Sequence, residues 1–165
     1  MIMCDAKDFN IIGNESSKEL NNNKQLLDRI EKIRLLAGKK MGMGYVKGKV
    51  LPKVSLLSKS VNENSLISRY FTPYSCHETH AVTGTCCVAS SCLIPDTVGY
   101  RLLDKKGSLN FNSEIIKIEH PMGFIDCTIV LNSNFKNNLV SKKDLVKSCG
   151  IYRTSRILMK GQVYF

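Results

Sequence analysis

The sequence predicts an α+β fold in which a curved, mostly antiparallel sheet closes around one buried helix, with a second helix outside. Three observations support this prediction. No Asp, Glu, Lys or Arg lies between Glu78 and Asp96, although 23% of the chain is charged. Residues 24–40 carry apolar side chains at helical spacing, whereas most later apolar runs are short and partly β-branched. Turn residues separate these runs.

The uncharged segment predicts a core helix from about residue 77 to 92. It is rich in small side chains on every side, and a helix that is uncharged all round belongs in an interior. Pro95 stops it, and Ser75 or Cys76 is expected to cap its first turn. Its start would then offer free backbone N–H groups near His77, which suit an anion or a carboxylate. A capped helix end without a ligand is the alternative interpretation.

The outer helix is predicted over residues 24–40, capped by the asparagine run 21–23 and ended by Gly42. The apolar fragment Met1–Cys4 reads as a strand. Further strand candidates are 50–57, 66–71, 98–103, 114–119, 124–131, 145–157 and 162–165.

The length of 165 residues suits one domain over residues 1–165. The formal net charge of +10 makes an anionic partner plausible. Much of the excess lies between Lys24 and Lys53, but no aromatic residues are interleaved there as stacking platforms. A solvated basic face is therefore favoured over a nucleic-acid surface. The Ser and Thr content of the central segment and its stop at Pro95 argue against a membrane span.

The seven cysteines, with no signal peptide ahead of them, predict reduced thiols and a cytoplasmic location. A metal or redox module remains an alternative. It would use Cys76, His77 and His80 together with Cys86 or Cys87. No Cys-x-x-Cys pair supports it, so no metal is expected.

Several motifs then occur in a recognisable order. They are Leu27-x-Arg29-Ile30-Glu31-x-Ile33-Arg34, Met41-Gly42, Pro52-Lys53-Val54, Tyr70-Phe71-Thr72-Pro73, Cys76-His77, Ala81-Val82-Thr83-Gly84, Ile94-Pro95-x-Thr97-Val98, His120-Pro121-x-Gly123 and Arg153-Thr154-x-Arg156-x-Leu158-Met159-x-Gly161-x-Val163. Together they resemble the C-terminal half of PrpF-family isomerases, which have the diaminopimelate-epimerase-like fold.

The resemblance implies a cofactor-independent shift of a double bond in a small unsaturated di- or tricarboxylate of the aconitate, methylaconitate, methylitaconate or oxalomesaconate class. Such a shift needs an acid/base pair and fixed donors for the carboxylates. In the family the substrate lies between two helix N-termini, one from each lobe. The substrate-binding residues carried over from the resemblance are Cys76, His77, Glu78, His120, Met122 and Gly123.

This sequence also departs from the family pattern. The family's catalytic Cys-Gly-Asn and Ser-Lys-Val motifs are absent. Lys53 and Cys76 look like internally symmetric counterparts of that lysine and cysteine, so they are the catalytic candidates. Met122 replaces a serine of the family loop, which removes a hydroxyl donor. We therefore expect a chain that starts inside a larger fold, is inactive alone, and requires a missing N-terminal lobe or a second copy of itself.

Overall fold

A computed structural model describes residues 1–103, 113–133, 141, 144–152 and 156–164. Seven strands lie in this part of the chain: β1 Ile2–Asp5, β2 Val54–Lys59, β3 Ser65–Thr72, β4 Ser75–Cys76, β5 Glu114–His120, β6 Gly123–Leu131 and β7 Val146–Ile151. The helices there are α1 Ser17–Asn22, α2 Lys24–Lys40, α3 Val82–Ser91, α4 Val98–Leu103 and a 3-10 helix at Ala6–Phe9. No helix of these residues is long and apolar enough to cross a membrane.

The strands form one sheet in the order β1-β2-β3-β5-β6-β7, and β4 pairs with the end of β3. β1 runs parallel to β2, and β3 runs parallel to β5. The other four pairings are antiparallel. The mixed α+β fold with a mostly antiparallel sheet is therefore confirmed.

The outer face of the sheet is covered by α1, α2 and the 3-10 helix. The α2 boundaries match the predicted helix, and the side chain of Asn23 caps it by accepting a hydrogen bond from the Leu26 amide at 3.0 Å. α1 was not predicted, although Ser16 and Glu19 form a capping box at its start. The apolar side chains buried in this layer are Ala6, Phe9, Ile11, Leu20, Leu26, Ile30, Val54, Leu56, Phe71 and Cys76.

The inner face of the sheet packs against α3 and α4, with Val88, Ala89 and Cys92 of the α3 segment among its buried residues. The predicted helix start at residue 77 was wrong, because α3 begins at Val82. The residues before it belong to β4 and a loop, where the His77 amide donates to the Tyr70 carbonyl at 2.7 Å. The backbone of Cys76 and His77 therefore bonds to β3 and does not form the first turn of a helix.

Two further predictions need correction. Residues 98–103 form α4 rather than a strand, because the Thr97 hydroxyl accepts from the Tyr100 amide at 3.1 Å and caps a helical turn. The predicted strand at 145–157 is shorter in the structure, where β7 covers Val146–Ile151. Residues 162–164 are not in a strand, and Phe165 lies outside the described residues.

Candidate functional site

A cavity of about 380 Å³ opens on the inner face of the sheet, where the start of α3 meets the loop that precedes β2. Four of its lining residues carry a polar side chain: Lys53, Tyr70, Thr83 and Cys87. The others are Met1, Met41, Met43, Leu51, Pro52, Ala81 and Gly84. A mainly apolar pocket with a few polar groups is the usual form of a small-molecule site.

The first turn of α3 carries no side-chain cap. Its N-cap residue is Ala81, which cannot accept a hydrogen bond, and the helical bonding begins with the Thr85 amide donating to the Ala81 carbonyl at 2.8 Å. The amides of Val82, Thr83 and Gly84 therefore have no acceptor within the helix. Because these N–H groups and the helix dipole are both positive, the cavity wall at this point favours an anion.

Tyr70 lines the cavity and packs against Gly84 of α3. Its side chain is only 3% exposed, and its hydroxyl has no hydrogen-bond partner among the described residues. Burial raises the pKa of Tyr70, so the hydroxyl stays protonated and can donate. A Cβ atom on Gly84 would lie 2.7 Å from Tyr70 Cε2, so glycine is needed there for α3 to approach the ring.

His80 is a buried neutral residue that ties the start of α3 to the sheet. Its Nε2 lies 3.0 Å from Ser68 Oγ and its Nδ1 lies 3.0 Å from Thr85 Oγ1. Its ring centroid is 4.4 Å from that of Tyr70. Burial lowers the pKa of His80 to about 4. The sequence offered no reason to distinguish this positioning role from that of a metal ligand.

Three of the residues carried over as substrate-binding come together where β5 ends. The ring of His120 lies near the backbone of Glu78 and near His77, and both affect its pKa. Burial is the main reason why the pKa of His120 is lowered. The His77 ring lies edge-on to Tyr70 at 6.4 Å between centroids. Tyr70 therefore lies near His77 and also lines the cavity.

Met122 and Gly123 lie at the tight turn between β5 and β6. The Met122 amide donates to His120 Nδ1 at 3.2 Å, while its side chain is exposed. Gly123 has a φ of +136°, a conformation that other residues adopt only with strain. Neither residue, nor His77, Glu78 or His120, is among those that line the cavity.

Cys76 does not lie at a helix start, as the sequence suggested. It belongs to β4, and its side chain is 4% exposed within the outer hydrophobic core. Burial raises the pKa of the Cys76 thiol to about 11. Lys53 lines the cavity on the opposite face of the sheet. The two catalytic candidates therefore do not share one site within this chain.

The residues of the metal alternative are not arranged on one helix. His77 and His80 both precede α3, so they do not share a helix face. Among the described residues, no group of three or more His, Cys, Asp or Glu side chains is arranged to hold a metal ion.

The basic region between Lys24 and Lys53 is not uniformly solvated. Arg34 is fully buried, and it bonds to the Glu31 carboxylate at 2.6 Å. Its guanidinium also donates to the carbonyls of Val46, Lys49 and Leu51 at 3.0–3.3 Å. These bonds fasten the loop that leads to the cavity onto α2. Arg34 is therefore a structural residue.

Comparison with solved structures identifies a class of protein that has this fold. It superposes on a crystal structure of methylitaconate-delta-isomerase with a TM-score of 0.69 and 25% sequence identity, over 92% of this chain and 42% of the other. The chain therefore has the architecture of one half of that isomerase, which confirms the diaminopimelate-epimerase-like fold.

Sequence comparison places the chain in a family. The profile of the family described as PrpF protein matches residues 1–165, so the chain belongs to the PrpF family. It is 35% identical to the "Putative isomerase YbhH" of Escherichia coli over 99% of this chain and 43% of that protein. It is 32% identical to the 4-oxalomesaconate tautomerase of Pseudomonas putida, over 99% and 41%. The chain thus spans less than half the length of these curated relatives.

Proposed function

We propose that this chain forms one carboxylate-binding half of an isomerase or tautomerase that shifts a double bond in a small unsaturated di- or tricarboxylate. The observation that carries this proposal is the cavity at the uncapped start of α3, with Lys53 on its wall. Beside it lies the Tyr70 hydroxyl, which has no hydrogen-bond partner among the described residues. The names of the related tautomerase and isomerase support the substrate class.

The three polar features of the cavity suit one carboxylate group. The α3 amides offer backbone donors, Lys53 offers a cationic donor, and the Tyr70 hydroxyl offers a neutral one. Charge-assisted hydrogen bonds of this kind are the strong ones. The apolar remainder of the lining suits the hydrocarbon skeleton of an unsaturated acid.

The proton-transfer groups are proposed to lie on another lobe or on a second copy of this chain. Cys76 lies in the outer core with its pKa raised to about 11, so it is a poor proton carrier at neutral pH. The polar side chains that line the cavity with Lys53 are Tyr70, Thr83 and Cys87, and none of these is a carboxylate or a histidine. The chain is therefore proposed to be inactive alone.

The second half of the site is proposed to come from a further lobe, and a second copy of this chain is the alternative. Exposed apolar side chains support such a partner, since Met41 and Leu51 of the cavity are 49% and 51% exposed and the neighbouring Val82 is 47% exposed. A cytosolic location remains part of the proposal, and all seven cysteines are unpaired thiols.

Carboxylate binding is tested with trans-aconitate as the probe, followed by the shifts of backbone amides in heteronuclear NMR spectra. We expect the Val82 and Thr83 amides to shift, and Lys53→Met to weaken binding ~10-fold because a charge-assisted bond is lost. Lys47→Met is the matched control, since Lys47 is exposed on the same loop and is not among the cavity residues.

The neutral trimethyl ester of the same acid serves as a second control. It keeps the carbon skeleton but lacks the charge, so it should leave the Val82 and Thr83 amides in place. Equal shifts with acid and ester, or equal loss of binding in the Lys53 and Lys47 variants, would contradict the proposed anion site.

The inactivity of the isolated chain has its own test. Absorbance in the enoate band is followed after unsaturated tricarboxylates are added to the purified chain, and light scattering gives its mass. We expect no isomerisation from the monomer. Turnover by a monomer would refute the claim of inactivity, and turnover only by a dimer would favour the second-copy alternative.

A further inference from the structure

Three of the seven cysteines meet on the inner face of the sheet, away from the cavity residues. Cys86 lies on α3, Cys127 on β6 and Cys149 on β7. The Cys149 sulfur is 3.8 Å from the Cys86 carbonyl oxygen. The Cys149 side chain also lies close to those of Cys127, Cys86 and Ser90.

The register explains why the two strand cysteines face α3. Cys127 pairs with Ile151 and Ile129 pairs with Cys149, so both cysteines lie on the face that carries the buried Ile129. Cys127 is fully buried, whereas Cys86 and Cys149 are each partly exposed. A small oxidant from solvent therefore reaches Cys149 and Cys86 more easily than Cys127.

The three thiols differ in their protonation. Hydrogen bonds, first from Cys127 and then from Cys86 and Ser90, lower the pKa of Cys149 to about 6. Burial raises the pKa of Cys86 to about 11. The bond to Cys149 raises the pKa of Cys127, and the nearby Asp126 charge acts in the same direction. Cys149 is therefore the thiol of the cluster that loses its proton most readily.

We propose that Cys149 and Cys86 form a peroxide-sensitive dithiol site that closes to a disulfide between β7 and α3. The Cys149 thiolate attacks one oxygen of hydrogen peroxide, the O–O bond breaks, and Cys149 becomes a sulfenic acid while the released hydroxide takes up a proton to form water. The Cys86 sulfur then attacks the Cys149 sulfur. The S–S bond forms, the S–O bond breaks, and a second water leaves with the Cys86 proton.

The electrons balance because the two thiols together lose the two electrons that reduce the peroxide. A dithiol reductant such as dithiothreitol reverses the step by thiol–disulfide exchange. This site is independent of the proposed carboxylate site, since none of its three cysteines lines the cavity. The neighbouring Cys87 does line the cavity, is exposed, and provides the internal control.

The test uses the whole chain, treated with hydrogen peroxide at neutral pH and then digested without reduction for mass spectrometry. We expect a peptide pair joined through Cys149 and Cys86, and its loss after dithiothreitol. Limited iodoacetamide should modify Cys149 at least ~10-fold faster than Cys87, because the thiolate is the nucleophile. Unmodified cysteines after peroxide, or sulfinic acid without any joined pair, would overturn the proposal.

Cysteine-to-serine variants show which two thiols form the disulfide. Cys86→Ser and Cys149→Ser should each abolish the joined peptide pair, while Cys87→Ser should leave it unchanged. Cys127→Ser should retain the pair, although at a reduced rate, because the largest hydrogen bond to Cys149 is lost. A pair formed between Cys149 and Cys127 in the unaltered chain would overturn the assignment of Cys86. That result needs no variant and does not depend on how well the variants fold.

Discussion

The two faces of the sheet are covered to different extents. On the outer face, α1, α2 and the 3-10 helix enclose a continuous apolar layer, which includes the thiol of Cys76. On the inner face, α3 buries one side against β5, β6 and β7 but leaves Val82, Thr83 and Cys87 exposed. The unsatisfied α3 amides, the cavity and the reactive thiol cluster all lie on this more open face.

The two faces also differ in the surroundings of one buried polar residue on each. On the outer side the buried guanidinium of Arg34 has partners on one carboxylate and three carbonyls. On the inner face the Tyr70 hydroxyl has none among the described residues. Stability is therefore expected to depend mainly on the outer layer, and ligand binding on the inner one.

Arg34→Met should give the largest loss of stability. The variant leaves the Glu31 carboxylate unpaired and strips the carbonyls of Val46, Lys49 and Leu51 of their donor. We expect a loss of about 3–5 kcal/mol in the free energy of unfolding, measured by urea denaturation.

Lys32→Met is the matched control for that variant, because Lys32 is exposed on the same helix. It should change the free energy of unfolding by less than about 0.5 kcal/mol. Similar losses in the two variants would show that the network around Arg34 is not what holds the loop to α2.

On the inner face, the buried His80 should make stability depend on pH. Its pKa is lowered from 6.5 to about 4 in the folded chain, so the unfolded chain binds more protons between these values. The contribution is present above pH 6.5 and is lost as the pH falls to about 4. The loss should reach about 3 kcal/mol across this range, since one pKa unit corresponds to ~1.4 kcal/mol.

His80→Asn removes the titrating group and should flatten this part of the stability profile, measured by urea denaturation at a series of pH values. His77→Asn is the control, because His77 is exposed and should leave the slope unchanged. If His80→Asn kept the slope of the parent chain, the pH dependence would belong to other groups.

The fold was predictable from the sequence to the extent that its signals were local. The spacing of Leu26, Ile30 and their neighbours defined α2 with its caps, and short, partly β-branched apolar runs indicated β5 and β6. The start of α3 was missed because the backbone of Cys76 and His77 pairs with β3, a contact between residues that no helix signal reports. Val98 was wrongly predicted to lie in a strand. Valine prefers strands, but the Thr97 side chain caps a helix here by accepting a hydrogen bond from the Tyr100 amide.

The candidate site was predicted in part. The resemblance directed attention to the residues around His77 and His120, which do lie together. The role of Tyr70 could not be read from the sequence, because it depends on which face of β3 the ring occupies and on how closely Gly84 brings α3 to it. The placement of Cys76 in the outer core depends likewise on strand register.

Gly84→Ala tests that close approach. A helical Gly→Ala change normally stabilises by about 0.5–1 kcal/mol, but here the added Cβ would lie 2.7 Å from Tyr70 Cε2. We expect a net loss of about 1–3 kcal/mol in unfolding free energy, because α3 and the ring must separate. Thr83→Ala, on the exposed side of the same turn, is the control and should change stability by less than about 0.5 kcal/mol. A stabilised Gly84→Ala variant would contradict the packing.

The smallest effect is expected back on the outer face, at the cap of α2. Asn23→Ala removes the acceptor of the Leu26 amide and should cost about 1 kcal/mol in unfolding free energy, measured by urea denaturation. Asn22→Ala is the matched control, since Asn22 is the neighbouring exposed asparagine and makes no cap. A cost for Asn22→Ala equal to that for Asn23→Ala would show that the asparagine run acts through the turn as a whole. The outer layer would then depend less on the cap of α2 than on its packing.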